Sequence, residues 1–281
     1  LSQWIREEAE YRFDIDTGPL WRMVVYQTDG AAYQLQLTMH HIITDGWGIT
    51  IFINELQELY QAHSVEQAPA LPDLEIRYGD YASWQHELLK GDRLEKLSSY
   101  WKKKLENFQT LELPHDRPRP GVQTYNGAQF RIDISAPLRK QLGKLAKQEE
   151  VSLFMLLLAA FKVVLHRYSG QEDIVVGSPI ANRFSTETER IIGTMLNTIV
   201  LRTELPGDIS FKELLERVKR TSLGAFAHQE MPFEKLVDLL NVSRDMSLPP
   251  IYQVIFSLNN YPPLALELDG LSVTCDQVDN S

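Results

Sequence analysis

Segments with the pattern of β-strands alternate along this chain with segments that have the pattern of α-helices. Residues 20–28 and 33–40 show strand-like alternation and are joined by the turn residues Asp29 and Gly30, and a helical stripe follows at residues 49–60. A helix must bury an apolar stripe and a strand an apolar face, so the two kinds of element pack on each other. The alternation therefore predicts the α/β class, with helices packed on mixed sheets.

A proline-rich segment interrupts this alternation. A helical region is predicted at 78–108, but residues 113–121 (LPHDRPRPG) have no periodicity and are typical of a stiff linker. We therefore expect an N-terminal lobe at 1–112 and a C-terminal lobe at 122–281. In the second lobe the patterns predict strands at 128–134, 174–177, 197–202, 252–258 and 271–274, and helices at 136–149, from Ser152 to about Gly170, at 211–228 and from Phe233.

The composition excludes several classes of function. A net charge of -10 argues against binding to a nucleic-acid backbone, which requires a basic surface. The most apolar run is interrupted by Lys162 well before the length of about 20 residues that a membrane span needs, so no membrane partner is expected. A single cysteine, Cys275, cannot form an internal disulfide and is typical of a reducing compartment, so we expect a cytoplasmic location.

The sharpest local signal is HHIITDGW, which runs from His40 to Trp47 at the point where a strand becomes a helix. Adjacent strand residues point to opposite faces, so the two histidines cannot share one metal ion, and no metal site is predicted. If the strand continues by one residue, His41 lies on its apolar, interior side. There a neutral imidazole could accept a proton, with Asp45 placed past a bend that Gly46 permits. The alternative is that both histidines are merely hydrogen-bonded residues at a strand end.

Other enzyme signatures are absent. The sequence contains no G-x-S-x-G nucleophile turn and no phosphate-binding glycine-rich loop. What remains is base-assisted transfer of an already activated acyl group to an external nucleophile. Three aromatic residues at helical spacing, Tyr78, Tyr81 and Trp84, are interpreted as core packing rather than as substrate contacts.

Four further segments follow HHIITDG in order along the chain. They are YGDYASW at 78–84, IGTMLNT at 192–198, HQEMPFE at 228–234 and RDMS at 244–247. Together the five segments resemble the motifs of nonribosomal peptide synthetase condensation domains. The chain departs from these motifs at Met195, Leu196, Leu248 and Pro249, where apolar residues stand near the expected channel, but HHIITDG itself is intact.

The resemblance implies a two-lobed sandwich like chloramphenicol acetyltransferase, with an active site in a tunnel between the lobes. It also implies that the chain is an internal fragment, incomplete at both ends, because the family has motifs upstream of the histidines. The implied reaction forms an amide between a carrier-bound acyl or peptidyl thioester and the amine of a downstream carrier-bound aminoacyl thioester. The partners would be upstream and downstream carrier proteins and an adjoining adenylation domain. Phosphopantetheine arms would bring the substrates, with no cofactor bound by the domain, and the fragment alone is expected to be inactive.

The resemblance also implies roles for individual residues. His41 would act on the amine, by positioning it and removing its proton, or by stabilising the tetrahedral adduct. Asp45 would hold the turn through Arg183 rather than contact His41, although Arg183 could instead be an exposed loop residue. We expect His41 to be reachable from solvent. The supporting residues are His40 and Gly46, and the channel candidates are Trp47, Asn197 and His228.

Three alternatives remain at this point. An epimerisation domain shares the double histidine, but its E-G-(H/Y)-G-R-E segment is missing here. A coenzyme A-dependent acyltransferase of the same fold would share the His-x-x-x-Asp core, whereas the segments around His228 and Arg244 favour the synthetase. A non-catalytic docking module would predict the loss of His41 or Asp45, and both are present.

Overall fold

The computed structural model of the chain describes residues 1–28, 30–124, 126–183, 185–242, 245–259, 265–276 and 278. The chain forms two compact units, and each unit is assembled from separate stretches. Unit 1 contains residues Leu1–Gln85, Arg183–Leu196 and the described residues after 259, and unit 2 contains His86–Asn182 and Asn197–Asn259. The division into lobes at 113–121 stays a prediction.

Unit 1 contains the predicted β-hairpin and the helix that follows it. β1 (Trp21–Gln27) pairs antiparallel with β2 (Tyr33–Met39), so that Trp21 lies opposite Met39. The predicted turn residue Asp29 lies outside the described residues. The other elements of unit 1 are the helices α1 (Ser2–Ala9), α2 (Gly46–Ser64) and most of α3 (Tyr78–Leu88), together with a short 3-10 helix at Thr186–Arg190.

The hairpin exposes its apolar face, contrary to the expectation that this face is interior. Val25 and Tyr33 are 61% and 63% exposed, whereas Gln36 is buried. The polar face faces α1, because the Gln36 amide donates to the Ile5 carbonyl at 2.9 Å and Arg22 forms an ion pair with Glu8 at 2.6 Å. Polar contacts rather than apolar burial therefore join α1 to the hairpin.

Unit 2 is built around a second antiparallel pair of strands. β3 (Asp173–Ile180) pairs with β4 (Asn197–Glu204), with Val176 opposite Leu201. The helices of unit 2 are α4 (Gly91–Lys104), α5 (Ala136–Gln148), α6 (Leu153–Ser169), α7 (Phe211–Ala227) and α8 (Phe233–Leu240). As predicted, the Ser152 side chain caps α6 by accepting a hydrogen bond from the Met155 N–H at 3.2 Å, and Gly170 ends it in the left-handed conformation.

The core of unit 2 lies between these strands and helices. Leu158 of α6, Val176 of β3, Leu201 of β4 and Val218 of α7 have no exposed surface. Lys162 of α6 is also fully buried, and its Nζ contacts the carbonyl oxygens of Ile174 and Leu201 and the hydroxyl of Thr203 at 3.1, 2.6 and 3.1 Å. The largely apolar core therefore contains a buried amine that has a complete set of hydrogen-bond partners.

Several predicted elements differ in the structure. The helical region at 78–108 is two helices, because the chain turns before α4 and Gly91 takes a φ of 52°. The strands predicted at 128–134 and 271–274 are absent from the described residues, and 252–258 contributes only an isolated parallel bridge between Gly177 and Ile255. Phe130 is 89% exposed: alternation makes a strand only where a partner edge is available, and no described strand pairs with this segment.

In the part of the chain that the structure describes, no single helix is long and apolar enough to cross a membrane. Only the pair α5 and α6 meets that length and composition together, across a bend of 103°.

Candidate active site

The two histidines lie in the turn between β2 and α2, because β2 ends at Met39. His40 is half-buried, accepts a hydrogen bond from the Ile42 N–H on Nδ1 at 3.1 Å and lies edge-on against Phe13. His41 is exposed, and none of the hydrogen bonds among the described residues involves its ring. The expected contrast between a partnered His40 and a solvent-reachable His41 is present, but it arises from the turn and not from strand alternation.

Asp45 is buried at the start of α2 and has partners on both carboxylate oxygens. Oδ1 caps the helix by accepting the Gly48 N–H at 2.8 Å, and Oδ2 accepts the Met195 N–H at 3.0 Å. The Arg183 guanidinium lies 3.2 Å from Oδ1. No described hydrogen bond joins Asp45 to His41. The carboxylate therefore fixes the turn through Arg183, as expected from the sequence, and is not a partner of the imidazole.

Arg183 joins the turn to the segment that contains the 3-10 helix. Its side chain is 1% exposed, so the alternative of an exposed loop residue is wrong. Besides Asp45, the guanidinium donates to the carbonyl oxygens of Thr188, Ile191 and Gly193 at 2.5, 2.9 and 3.2 Å. One cation thus neutralises a buried carboxylate and satisfies three backbone carbonyls, which is the arrangement that makes burial of a charge tolerable.

The glycine that allows close packing here is Gly48 rather than Gly46. A Cβ on Gly46 would meet no atom within 4 Å, whereas a Cβ on Gly48 would lie 2.6 Å from the Thr44 hydroxyl and 3.5 Å from the Gly193 nitrogen. The expectation that Gly46 permits the bend is therefore wrong. A side chain at position 48 would therefore displace the Thr44 hydroxyl, while its contact with Gly193 would be an ordinary van der Waals contact.

Tyr78 and Thr194 were not recognised as site residues from the sequence. Tyr78 is 40% exposed rather than core, and its hydroxyl donates to the Thr194 carbonyl at 2.8 Å. Its ring occupies the place of a Cβ on Gly193. The Thr194 hydroxyl contacts the His41 carbonyl oxygen and lies 3.0 Å from that of Thr44. Nothing in the local sequence pattern indicates these contacts, because they join residues more than a hundred positions apart.

The other two aromatic residues of α3 differ from each other in burial. Tyr81 belongs to a small apolar cluster with Ile191 and Met195, as the core interpretation predicts, whereas Trp84 is 51% exposed and that interpretation is wrong for it. Burial, as the largest cause, raises the pKa of the Tyr81 phenol to about 12, with Arg183 acting in the opposite direction. Tyr81 therefore stays neutral at physiological pH.

The three channel candidates make contacts with backbone groups. The Trp47 indole donates to the Glu189 carbonyl at 2.9 Å. In unit 2, the Asn197 amide donates to the carbonyl oxygens of Gln229 and Met231 at 2.8 Å, and its oxygen accepts the Phe233 N–H at 3.0 Å. His228 stacks on Tyr100 at 3.6 Å with Nδ1 2.8 Å from the Gly224 carbonyl oxygen. Their place along a substrate channel stays a prediction.

No group of three or more His, Cys, Asp or Glu side chains within the described ranges is arranged to hold a metal ion. The turn itself offers an exposed imidazole on a fixed backbone. An exposed imidazole can act as a proton acceptor or donor, and the buried ion pair of Asp45 and Arg183 holds the turn in place.

Comparison with known proteins identifies the family. The model of the condensation domain family matches residues 1–276, and the chain belongs to that family. It is 51% identical over 269 residues to one of the proteins that make up the linear gramicidin synthase of Brevibacillus parabrevis, and the match covers 95% of this chain but 5% of that protein. The chain therefore spans only a small part of the length of this relative.

Two solved structures have the same fold. The X-domain from teicoplanin biosynthesis has a TM-score of 0.83 at 27% identity, over 89% of this chain and 57% of that one. The first condensation domain of the calcium-dependent antibiotic synthetase, in complex with a substrate analogue, has a TM-score of 0.70 at 20% identity, over 95% of this chain and 58% of that one. The predicted α/β fold like chloramphenicol acetyltransferase is thereby confirmed.

Proposed function

We propose that this chain carries the catalytic histidine of an amide-forming condensation domain in a nonribosomal peptide synthetase. The donor is an acyl or peptidyl thioester on one carrier protein, and the acceptor is the amine of an aminoacyl thioester on a second. The observation that carries the proposal is the exposed His41 imidazole on a turn fixed by the buried pair of Asp45 and Arg183. Membership of the condensation family supports the reaction class.

His41 accepts the proton of the amine as it attacks the thioester carbonyl. An α-amine has a pKa of about 7.7 to 8.0, so a useful fraction is neutral at physiological pH, and a thioester is already an activated acyl donor. The new C–N bond forms, the C–S bond breaks, and the released thiolate of the donor arm takes that proton from His41, which returns the imidazole to its neutral form. Little activation is required, so positioning of the amine supplies much of the rate.

Asp45 and Arg183 act on the reaction indirectly and do not contact the reacting groups. Both Asp45 oxygens are occupied by the Gly48 and Met195 N–H groups and by Arg183, which leaves the carboxylate no free contact with substrate. Their role is to keep the residues around His41 in one conformation. The pair is therefore expected to affect stability and rate together, whereas His41 affects the rate alone.

The substrates and partners follow from the same proposal. Phosphopantetheine arms on upstream and downstream carrier proteins deliver both thioesters, an adenylation domain adjoins, and the domain needs no cofactor of its own. The single cysteine, Cys275, is exposed and unpaired, which supports a reducing cytoplasmic location.

The test uses the complete condensation domain with two loaded carrier proteins and follows the dipeptidyl thioester by mass spectrometry. His41→Ala is expected to lower the single-turnover rate by about 10²- to 10⁴-fold, as for the loss of a proton-transfer group, with an unchanged melting temperature. His63→Ala, which changes an exposed histidine near the end of α2, is the matched control and should retain the wild-type rate. A wild-type rate for His41→Ala would refute the proposal.

The same assay tests the expectation that these 281 residues are inactive on their own. The chain and the complete domain are compared at equal concentration with the same loaded carriers. Equal turnover by both would overturn that expectation without affecting the role of His41.

A further inference from the structure

The position of the His41 imidazole depends on the backbone that carries it, because its ring has no hydrogen-bond partner among the described residues. Two backbone hydrogen bonds hold the start of the turn, from the His40 N–H to Leu20 at 2.9 Å and from the Ile43 N–H to His40 at 3.1 Å. Neither involves the carbonyl oxygen of His41, although the Ile42 N–H of the same peptide group donates to His40 Nδ1 at 3.1 Å. The described contact to its carbonyl oxygen comes from the Thr194 hydroxyl, which is distant in sequence.

Thr194 is itself held on each side by the residues that fix Asp45. The Met195 N–H donates to Asp45 Oδ2 at 3.0 Å, and the Gly193 carbonyl accepts from Arg183 at 3.2 Å. The Thr194 carbonyl accepts from the Tyr78 hydroxyl at 2.8 Å. Three consecutive residues are therefore anchored through their backbones, so the Thr194 hydroxyl is placed before any substrate binds.

The hydroxyl has two acceptors within reach, the carbonyl oxygens of His41 and Thr44. These two carbonyls bracket the turn that presents the imidazole. Because a hydroxyl has a single proton, it donates to one of these two carbonyl oxygens at a time. Both oxygens nevertheless stay close to the same donor. Removal of the hydroxyl would leave both carbonyls without this donor, and the Ile42 N–H contact with His40 Nδ1 would then have to hold the peptide plane of His41.

We propose that Thr194 is a positioning residue for His41, acting through the His41 carbonyl rather than through the imidazole. The proposal rests on the proposed function, in which His41 takes the proton of the attacking amine. The Thr194 contact transmits the rigidity of the Asp45 and Arg183 pair to the residue that reacts. A displacement of the reacting group by about 1 Å can lower a rate by roughly a hundredfold.

The experiment compares variants of the complete condensation domain in the single-turnover assay with loaded carriers. Thr194→Val keeps the branched shape and removes the hydroxyl, whereas Thr194→Ser keeps the hydroxyl. We expect Thr194→Val to lower the turnover rate by about tenfold to a hundredfold with KM for the acceptor carrier within about twofold, and Thr194→Ser to stay within about threefold of wild type. Thr194→Ala replaces Thr194→Val if the valine variant does not fold.

Thr50→Val is the matched control. The Thr50 hydroxyl donates to the Gly46 carbonyl at 3.1 Å within α2, so this change also removes a hydroxyl from a half-buried threonine in unit 1. It leaves the His41 carbonyl untouched, and its rate should equal that of the wild type.

A readout specific to positioning comes from the NMR signals of the His41 ring, assigned by their loss in His41→Gln. We expect Thr194→Val to shift or broaden these signals and Thr194→Ser to restore them. Unchanged ring signals, a wild-type rate for Thr194→Val, or equal losses in Thr194→Val and Thr194→Ser would each overturn the proposal. A wild-type rate for His41→Ala would instead overturn the proposed function, so the two failures are distinguishable.

Discussion

The two pairs of strands in the described part of the chain are both antiparallel but have opposite surroundings. β1 and β2 of unit 1 pair antiparallel and expose their apolar face, whereas β3 and β4 of unit 2 pair antiparallel with Val176 and Leu201 fully buried. His41 and Asp45 follow the open hairpin, whereas Arg183 and Thr194 lie in the segment that connects β3 to β4. Within unit 1 the turn is held by an ion pair and directed hydrogen bonds, while unit 2 depends mainly on apolar packing. The difference indicates that the two units respond to different kinds of substitution.

The largest effect is expected from the loss of the buried carboxylate in unit 1. Asp45→Ala leaves the Arg183 cation buried without its partner and should lower the free energy of unfolding by about 3 to 5 kcal/mol, as well as the turnover rate. Chemical denaturation measures the first quantity and the carrier assay the second. Asp45→Ala combined with Arg183→Met should recover part of the stability, because the unpaired charge is gone. Equal melting temperatures for Asp45→Ala and wild type would contradict the structural role.

A slightly smaller loss of stability is expected from a substitution in the core of unit 2. Leu158→Ala removes a side chain without exposed surface and should cost about 3 kcal/mol through lost burial and the cavity that remains. The matched change in the open hairpin is Leu35→Ala, at 46% exposure, which should cost less than about 0.5 kcal/mol in this chain. Similar costs for the two leucines, measured by urea unfolding, would show that the open face is covered in solution.

The buried amine of Lys162, in unit 2, predicts that the stability of the chain depends on pH. Burial, and secondarily the charge of Lys104, lowers the pKa of Lys162 well below its usual value, while Asp173 acts in the opposite direction. The hydrogen-bond partners of Lys162, the carbonyl oxygens of Ile174 and Leu201 and the Thr203 hydroxyl, are all uncharged, so none of them offsets the cost of burying an ammonium charge. The amine is therefore predicted to be neutral in the folded chain.

The sign of this dependence follows from proton binding. The unfolded chain binds a proton that the folded chain lacks, so stability rises as pH increases toward the unfolded pKa of Lys162 at about 10.4, by at most about 1.4 kcal/mol per pH unit. The difference between wild type and Lys162→Met, measured by denaturation from pH 7 to about pH 9.5, isolates this contribution from other groups. A difference that stays constant with pH would contradict a neutral Lys162.

The smallest expected effect is the loss of a helix cap, which we compare between the core helix α6 and the surface helix α5. Ser152→Ala removes the cap of α6 and should cost about 1 kcal/mol, because the first N–H groups of a half-buried helix start lose their acceptor. Ser135 caps the exposed helix α5 at 3.4 Å, and Ser135→Ala should cost about half as much, since water can replace the hydroxyl there. Equal shifts of the denaturation midpoint would show that burial of the cap does not matter.

Much of the fold is predictable from sequence because its signals are local. Period-two alternation locates β1 and β2, and apolar spacing of three and four locates α2 and α6 with their ends at Ser152 and Gly170. The two predicted strands that are absent from the described residues, at 128–134 and 271–274, share one cause. Residues 128–134 have the alternation of a strand, but a strand also requires a partner edge, and that requirement is not encoded within the segment.

The sequence by itself determined the class of the protein, since five ordered motifs with HHIITDG at a strand-to-helix turn indicate the condensation family that the comparison then identified. It also indicated the pairing of Asp45 with Arg183. Only the tertiary structure decided that Gly48 rather than Gly46 is the tight position, and that Tyr78 and Thr194 hold the turn. For Tyr78 and Thr194 the physical reason is range: helix and strand signals act between residues a few positions apart, whereas the contacts of these two residues join positions that only the folded backbone brings together.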